Sequence, residues 1–159
     1  MAIYMSFDGV KGAVTEDSHK EWIEVSSFQW GVGRGIATPT GAAADREASA
    51  PSVSEVVVTK PTDVASLKLL NEALAGEGKT VKIDFTTTVK SKTETYMTIE
   101  LTNAMVSGYS FSSGGDRPNE SVSLNFTKVQ MSFAGNKEAG AGLDAKGTAG
   151  YDLGLAKTL

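Results

Sequence analysis

Cysteine is absent from the 159 residues, which removes thiol catalysis, cysteine-ligated zinc and redox motifs together. Basic residues are outnumbered, 15 Lys+Arg against 19 Asp+Glu, for a formal net charge of −4. Nucleic-acid binders normally carry a basic excess, because phosphate neutralisation supplies most of their affinity, so no nucleic-acid partner is expected. No apolar run approaches the ~20 residues of a membrane span, so no membrane insertion is expected either. The opening Met1-Ala2-Ile3-Tyr4-Met5-Ser6-Phe7-Asp8 lacks the basic region and continuous apolar core of a Sec signal. Any export must then use a route that accepts a folded protein.

What is present suits one ordinary globule: 40% hydrophobic and 21% charged residues, in a length that fits a single domain over 1–159. Alternation with period two dominates and predicts half-buried strands. Ile3, Met5 and Phe7 share one phase and end at a turn, Asp8-Gly9. In the second strand Ile23 and Val25 have the opposite parity to Phe28 and Trp30. A bulge near Ser26-Ser27 restores all four to one face. Residues 53–59 are rich in β-branched side chains and predict a third strand.

One helix interrupts the pattern. Thr62 or Asp63 caps it, and Val64, Leu67, Leu70 and Leu74 recur at helical spacing as the stripe expected to lie on the sheet. Gly76 and Gly78 offer the left-handed conformation that ends helices. Val81, Ile83, Phe85 and Val89 then alternate cleanly with polar residues, and residues 95–111 are apolar on both parities, which predicts a long, bent, central strand. Val122, Leu124 and Phe126 against Val129, Met131 and Phe133 place a second bulge near Thr127-Lys128. The fold class expected is mainly β: a small antiparallel barrel, closed or nearly so, with one lateral helix.

Two segments lack such a pattern. Residues 31–51 hold four glycines and six alanines, with only Val32 and Ile36 able to enter a core. Loops this long are usually functional or disordered. Ordering it costs on the order of 1 kcal/mol or more per residue, so an ordered form is expected to need a partner surface. Residues 135–159 form a Gly/Ala-rich tail, read as a linker followed by Tyr151-Asp152-Leu153.

Chemistry is hard to find. His19 lies in the run Glu16-Asp17-Ser18-His19-Lys20-Glu21, where a solvated turn is the simpler account than a catalytic triad, and the carboxylates lack the spacing of a calcium loop. Gly31-Val32-Gly33-Arg34-Gly35 lacks the spacing and the following helix of a phosphate-binding loop. Arg117, in the turn Gly114-Gly115-Asp116-Arg117, is the one anion ligand that turn offers. Asp8, Asp84 and Glu100 could meet in space, but nothing in the sequence singles them out. No catalytic residue, cofactor or metal is assigned. Trp22, Phe28 and Trp30 are read as core rather than as a ligand platform.

Several stretches, taken in order, resemble the haemolysin-coregulated protein (Hcp) family over nearly the whole chain. They are the opening residues 3–12, Ser18-His19-Lys20-Glu21-Trp22-Ile23-Glu24-Val25 with Phe28-Gln29-Trp30-Gly31, the junction Val58-Thr59-Lys60-Pro61-Thr62-Asp63, and Asp116-Arg117-Pro118-Asn119-Glu120 running on to Phe126. Tyr151 stands where the family often has Trp. The resemblance implies a structural subunit of the type VI secretion inner tube, not an enzyme. Homohexameric rings would stack into a hollow tube, expelled by a contractile sheath on its baseplate, tipped by a spike protein of the VgrG type, with small effector proteins in the lumen. The subunit would reside in the bacterial cytoplasm before assembly and then reach the exterior or a target cell. A contractile-phage tail tube would share the fold. On this basis Arg34, Thr38, Asp45, Arg46 and Glu47 are the expected ring-stacking residues of the 31–51 segment, and Gln29 the expected lumen residue. The alternative is a lipocalin-like barrel holding one apolar ligand inside.

Overall fold

The alternating N-terminus forms β1 (Ala2–Phe7), which ends where Gly9 takes a positive φ of 82°. The computed structural model describes residues 1–136 and 143–159. After a 3₁₀ turn at Asp17–His19, the chain builds β2 (Ile23–Val25) and β3 (Ser27–Gln29), then four two-residue strands: β4 (Val32–Gly33), β5 (Ile36–Ala37), β6 (Glu47–Ala48) and β7 (Ser52–Val53). β8 (Val56–Pro61) leads into α1 (Ser66–Ala75). The second half is β9 (Lys79–Val89), β10 (Lys92–Ser112), β11 (Asn119–Asn125), β12 (Lys128–Asn136), β13 (Leu143–Asp152) and β14 (Lys157–Thr158).

All named strand pairs are antiparallel, and β10 organises them. Its first half pairs with β9 and β12, and its second half pairs with β11. β11 continues to β8 and β3, β9 continues to β1 and β2, and β12 continues to β13 and β14. The bend expected in β10 is real, with register shifts at Thr95/Met97 and Val106/Gly108. The barrel is nearly closed rather than an uninterrupted ladder. Its two terminal strands, β2 on β1 and β3 on β8, are joined covalently through Ser26, whose N–H donates to the Thr59 carbonyl at 2.7 Å. The bulge expected at Ser26-Ser27 is this corner. The second expected bulge is a larger event, because Phe126 and Thr127 carry the chain from the partner of one half of β10 to the partner of the other.

The core lies between these sheets. Met5, Phe7, Ile23, Ile83, Ile99, Leu101, Val58 and Leu124 fill it, each at most 2% exposed. Phe28 and Trp30 pack against it half-buried, and Gln29 between them is exposed. The interior is occupied by side chains, which removes the space a lipocalin-like ligand would need.

The helix corrects its sequence reading. Leu67 and Leu74 are 76% and 75% exposed, Val64 is exposed as well, and the face on the sheet is Ala65, Leu69 and Ala73. The sequence holds two apolar stripes, one of large residues and one of small. Packing chose the one whose alanines let helix and sheet approach closely. Asp63 caps the turn before the helix: its Oδ1 accepts the Ala65 N–H at 2.9 Å. Gly76 is extended, not left-handed (φ −74°, ψ 161°). A side chain there would collide with Glu72, and one at Gly78 with Asn103, so both glycines answer to space.

The glycine-rich segments are more ordered than their composition predicts. Residues 31–51 fold back as an exposed hairpin, β4 on β7 and β5 on β6. Ser49 and Ser54 side chains accept the Gly35 and Gly31 N–H groups. Self-pairing of backbone, not burial, orders it. The expected C-terminal linker is mostly strand, since β12 and β13 pair along their length. Residues 137–142 of that segment lie outside the described residues. Gly150 sits where a side chain would strike the Val129 carbonyl.

Candidate assembly surfaces

Two buried polar clusters come first, because they are where chemistry would reside. His19 is not solvated: it is 2% exposed, held between strands by its own 3₁₀ turn. Nδ1 lies 2.6 Å from Glu16 Oε2 and Nε2 lies 2.8 Å from Asp84 Oδ2, with Thr95 Oγ1 at 3.3 Å. The Tyr4 ring lies tilted against the imidazole at 4.9 Å, and the Trp22 ring meets it edge-on at 4.7 Å. The His19 hydrogen bond holds the Glu16 carboxyl below its usual range, and burial followed by Glu16 and Glu24 pushes the Tyr4 hydroxyl up. The charged run that resembles a solvated turn therefore clamps the N-terminal loop to β9. The imidazole is enclosed by these partners and rings.

The second cluster was not legible as a site. Lys60 on β8 and Glu120 on β11 are fully buried and pair at 2.7 Å. Lys60 Nζ also donates to the Pro61 carbonyl (2.8 Å) and to Asp63 Oδ1 (3.0 Å). Ser66, at the first position of α1, donates to Glu120 Oε2 at 2.8 Å, and Tyr109 on β10 donates to Oε1. Burial raises the Glu120 carboxyl, but hydrogen bonds from Lys60, Tyr109 and Ser66 outweigh it and hold the group below its ordinary range. Burial, then Glu120, pushes the Tyr109 hydroxyl up to about 12. Both charges come from motif segments quoted above, and the signal that could have found them is phase: Lys60 continues the buried phase of Val56 and Val58, and Glu120 that of Val122 and Leu124. The network ties four elements together and leaves no donor free for a ligand. Among the described residues no group of three or more metal-ligating side chains occurs, and no helix is long and apolar enough to cross a membrane.

What remains is surface. Of the residues expected to stack, Thr38, Asp45, Arg46 and Glu47 sit in the distal half of the hairpin, where Arg46 Nε donates to Thr38 Oγ1 at 3.0 Å. Arg34 is apart from them, at the hairpin base, on the wall of a cleft of about 420 Å³. That cleft runs between the hairpin base (Trp30, Val32, Val53) and the overhanging β12–β13 pair (Val129, Met131, Tyr151). The register explains the overhang. Met5, Ile83, Ile99 and Met131 form one cross-strand row, and Ile3, Phe85, Met97 and Phe133 form the next. Met5, Ile83 and Ile99 are buried and Ile3, Phe85 and Met97 partly so, whereas Met131 and Phe133 at the β12 end of the two rows are exposed. Gln29 faces away from the core on the far side of β3 from Phe28.

A family model described as "Type VI secretion system effector, Hcp" matches residues 4–133. A solved "type six secretion system protein" is 30% identical, with TM-score 0.90 and 99% of both chains covered. Hcp1 from Salmonella typhimurium (24% identity, TM-score 0.76, 99% and 98% covered) and a type VI secretion system effector from Yersinia pestis (24%, 0.71, 94% and 98%) share the fold. No curated protein sequence matches the chain. With the model match spanning most of its length, the chain belongs to the Hcp family of type VI secretion system proteins.

Proposed function

We propose that this chain is the structural subunit of the type VI secretion inner tube, acting through its surfaces and not by catalysis. The observation that carries the reading is the contrast between a filled core and large apolar side chains left open on several elements, Val32, Leu67, Leu74, Phe111 and Phe133 among them. Where such side chains gather into a patch on a folded chain, something else packs. In this reading copies form hexameric rings that stack into a hollow tube. The tube meets a contractile sheath, baseplate and VgrG-type spike, holds small effectors, and passes from cytoplasm to the exterior.

The distal hairpin, with Thr38, Asp45, Arg46 and Glu47, is the proposed stacking element toward the next ring. Its distal ladder, β5 on β6, is exposed on every residue and contributes little to its own barrel. Its charges would set register more than affinity. Gln29 is the proposed lumen residue, since a neutral polar side chain lets cargo slide without strong retention.

Size-exclusion chromatography with light scattering tests the reading, and hexameric mass at tens of micromolar is expected. A strictly monomeric species there would sink it. Replacing residues 38–48 with a short Gly-Ser linker should leave rings intact and abolish stacked tubes and export. Stacked tubes from the shortened chain would reduce the hairpin to a tolerated insertion. Gln29→Arg should preserve rings and alter cargo retention.

A further inference from the structure

Two apolar faces of this chain are uncovered, and they differ in shape. One is convex: Leu67 and Leu74 stand together on the exposed side of α1, away from Leu69, with the half-exposed Leu70 at the edge of their arc toward Ala73. The other is concave: the overhang of β12 and β13, with Met131 at its centre and Val32 and Val53 of the hairpin base as its wall. A helix with leucines on both sides is suited to burial between two surfaces, and only one is supplied by its own chain.

Charge runs the same way. The C-terminal end of α1 has no basic residue in its last turn, so the partial negative charge of its carbonyls is uncompensated, and Glu72 and Glu77 add to it. Arg34 borders the cleft and makes no ion pair among the described residues.

We infer that the outer leucine stripe of α1 of one copy seats in the β12–β13 cleft of the next, with Arg34 of the receiving copy meeting the acidic C-terminal end of the incoming helix. The contact is heterologous: it joins two different patches, so each copy gives a helix and receives one, and the chain of contacts closes when the rotation permits. It rests on the tube reading, and it assigns the side-to-side contact within a ring, separate from the hairpin's proposed stacking role.

The absence of cysteine gives the test a clean background. Two double variants, Leu67→Cys/Met131→Cys and Leu74→Cys/Val32→Cys, are oxidised mildly and run on denaturing gels. At least one is expected to give a ladder of covalent multimers, while each single variant gives dimers at most. Leu67→Glu/Leu74→Glu should elute as monomer with unchanged circular dichroism, at a concentration where the wild type is oligomeric. Arg34→Glu should weaken association about tenfold or more, and Glu77→Arg on that background should restore it. If wild type forms rings, no ladder appears and Leu67→Glu/Leu74→Glu still forms rings, the helix–cleft assignment is wrong and the tube reading stands. If wild type is itself monomeric, the tube reading falls and takes this contact with it.

Discussion

The Lys60–Glu120 pair allows the sharpest test of what holds this barrel together. Lys60→Met keeps most of the side-chain volume and removes the charge, stranding a carboxylate that is 1% exposed. Breaking one side of a buried pair costs about 3–5 kcal/mol. In a chain of this size each kcal/mol moves the melting temperature by about 2–4 °C, so a loss of roughly 6–20 °C is expected. In urea, with a slope near 2 kcal/mol/M, the midpoint should fall by about 1.5–2.5 M. Glu120→Gln added to Lys60→Met should recover more than half of that loss, since the amide keeps partners in Ser66 and Tyr109 without an unpaired charge. The pH dependence should also reverse sign. In the wild type the Glu120 carboxyl is held low, so its contribution is present above about pH 4.3 and is lost as pH falls through the folded value. In Lys60→Met burial governs and the folded value lies above the unfolded one, so stability is retained at low pH and lost as pH rises. Denaturant melts at pH 4 and pH 7 should therefore show a smaller gap between the two proteins at pH 4. A cost under about 1 kcal/mol, or a gap that widens toward pH 4, would refute the claim that this pair is charged and coupled.

Leu69→Ala should cost about 2–5 kcal/mol in the same assay, whereas Leu67→Ala should change monomer stability by no more than about 0.5 kcal/mol. Equal effects would mean the helix is turned the other way. Gly150→Ala should destabilise by roughly 1–3 kcal/mol through collision with the Val129 carbonyl, and a neutral result would show that β12 and β13 are less closely apposed. Glu16→Gln should remove part of the acid sensitivity: the His19 hydrogen bond depresses the Glu16 carboxyl, so its stabilisation is present above about pH 4.3 and lost on acidification below that. Unchanged acid unfolding in this variant would separate the His19 cluster from folding stability.

How much of this was legible depended on whether side-chain pattern or side-chain size decided the outcome. Period-two alternation located β1 and β9, because a strand with one buried face must alternate, and apolar residues on both parities located the long, bent β10. The parity break in residues 23–30 located the corner at Ser26 for the same reason. The helix face was misassigned because both of its stripes are apolar, and periodicity cannot say which one a neighbouring sheet will admit. Glycine misled twice. Around Gly150 it permits close approach of strands, and in residues 31–51 it accompanies a hairpin ordered by backbone pairing, whereas composition alone suggested looseness. The buried polar clusters were missed for a different reason. Lys60, Glu120 and His19 are residues whose default place is the surface; the strand phase of Lys60 and Glu120 points inward, but their pairing needs strands 60 positions apart to meet, and His19 reaches Asp84 across 65.

The sharing of β10 between both halves of the barrel has a consequence for the order in which the chain assembles. Its partners β9, β11 and β12 are near neighbours in sequence, so the second half of the protein can pair by short loop closures. β1, by contrast, finds its partner across a long span, with Ala2 bonded to Thr86 at a separation of 84 residues. Contacts of such separation are costly to close and slow to form. During synthesis the N-terminal strand emerges first and can meet the short β2 early, yet its longer partner is missing until β9 has left the ribosome. The first strand made is thus among the last to be paired along both edges, and the β9 side of Ile3, Met5 and Phe7 stays open while the meander that will receive it takes shape.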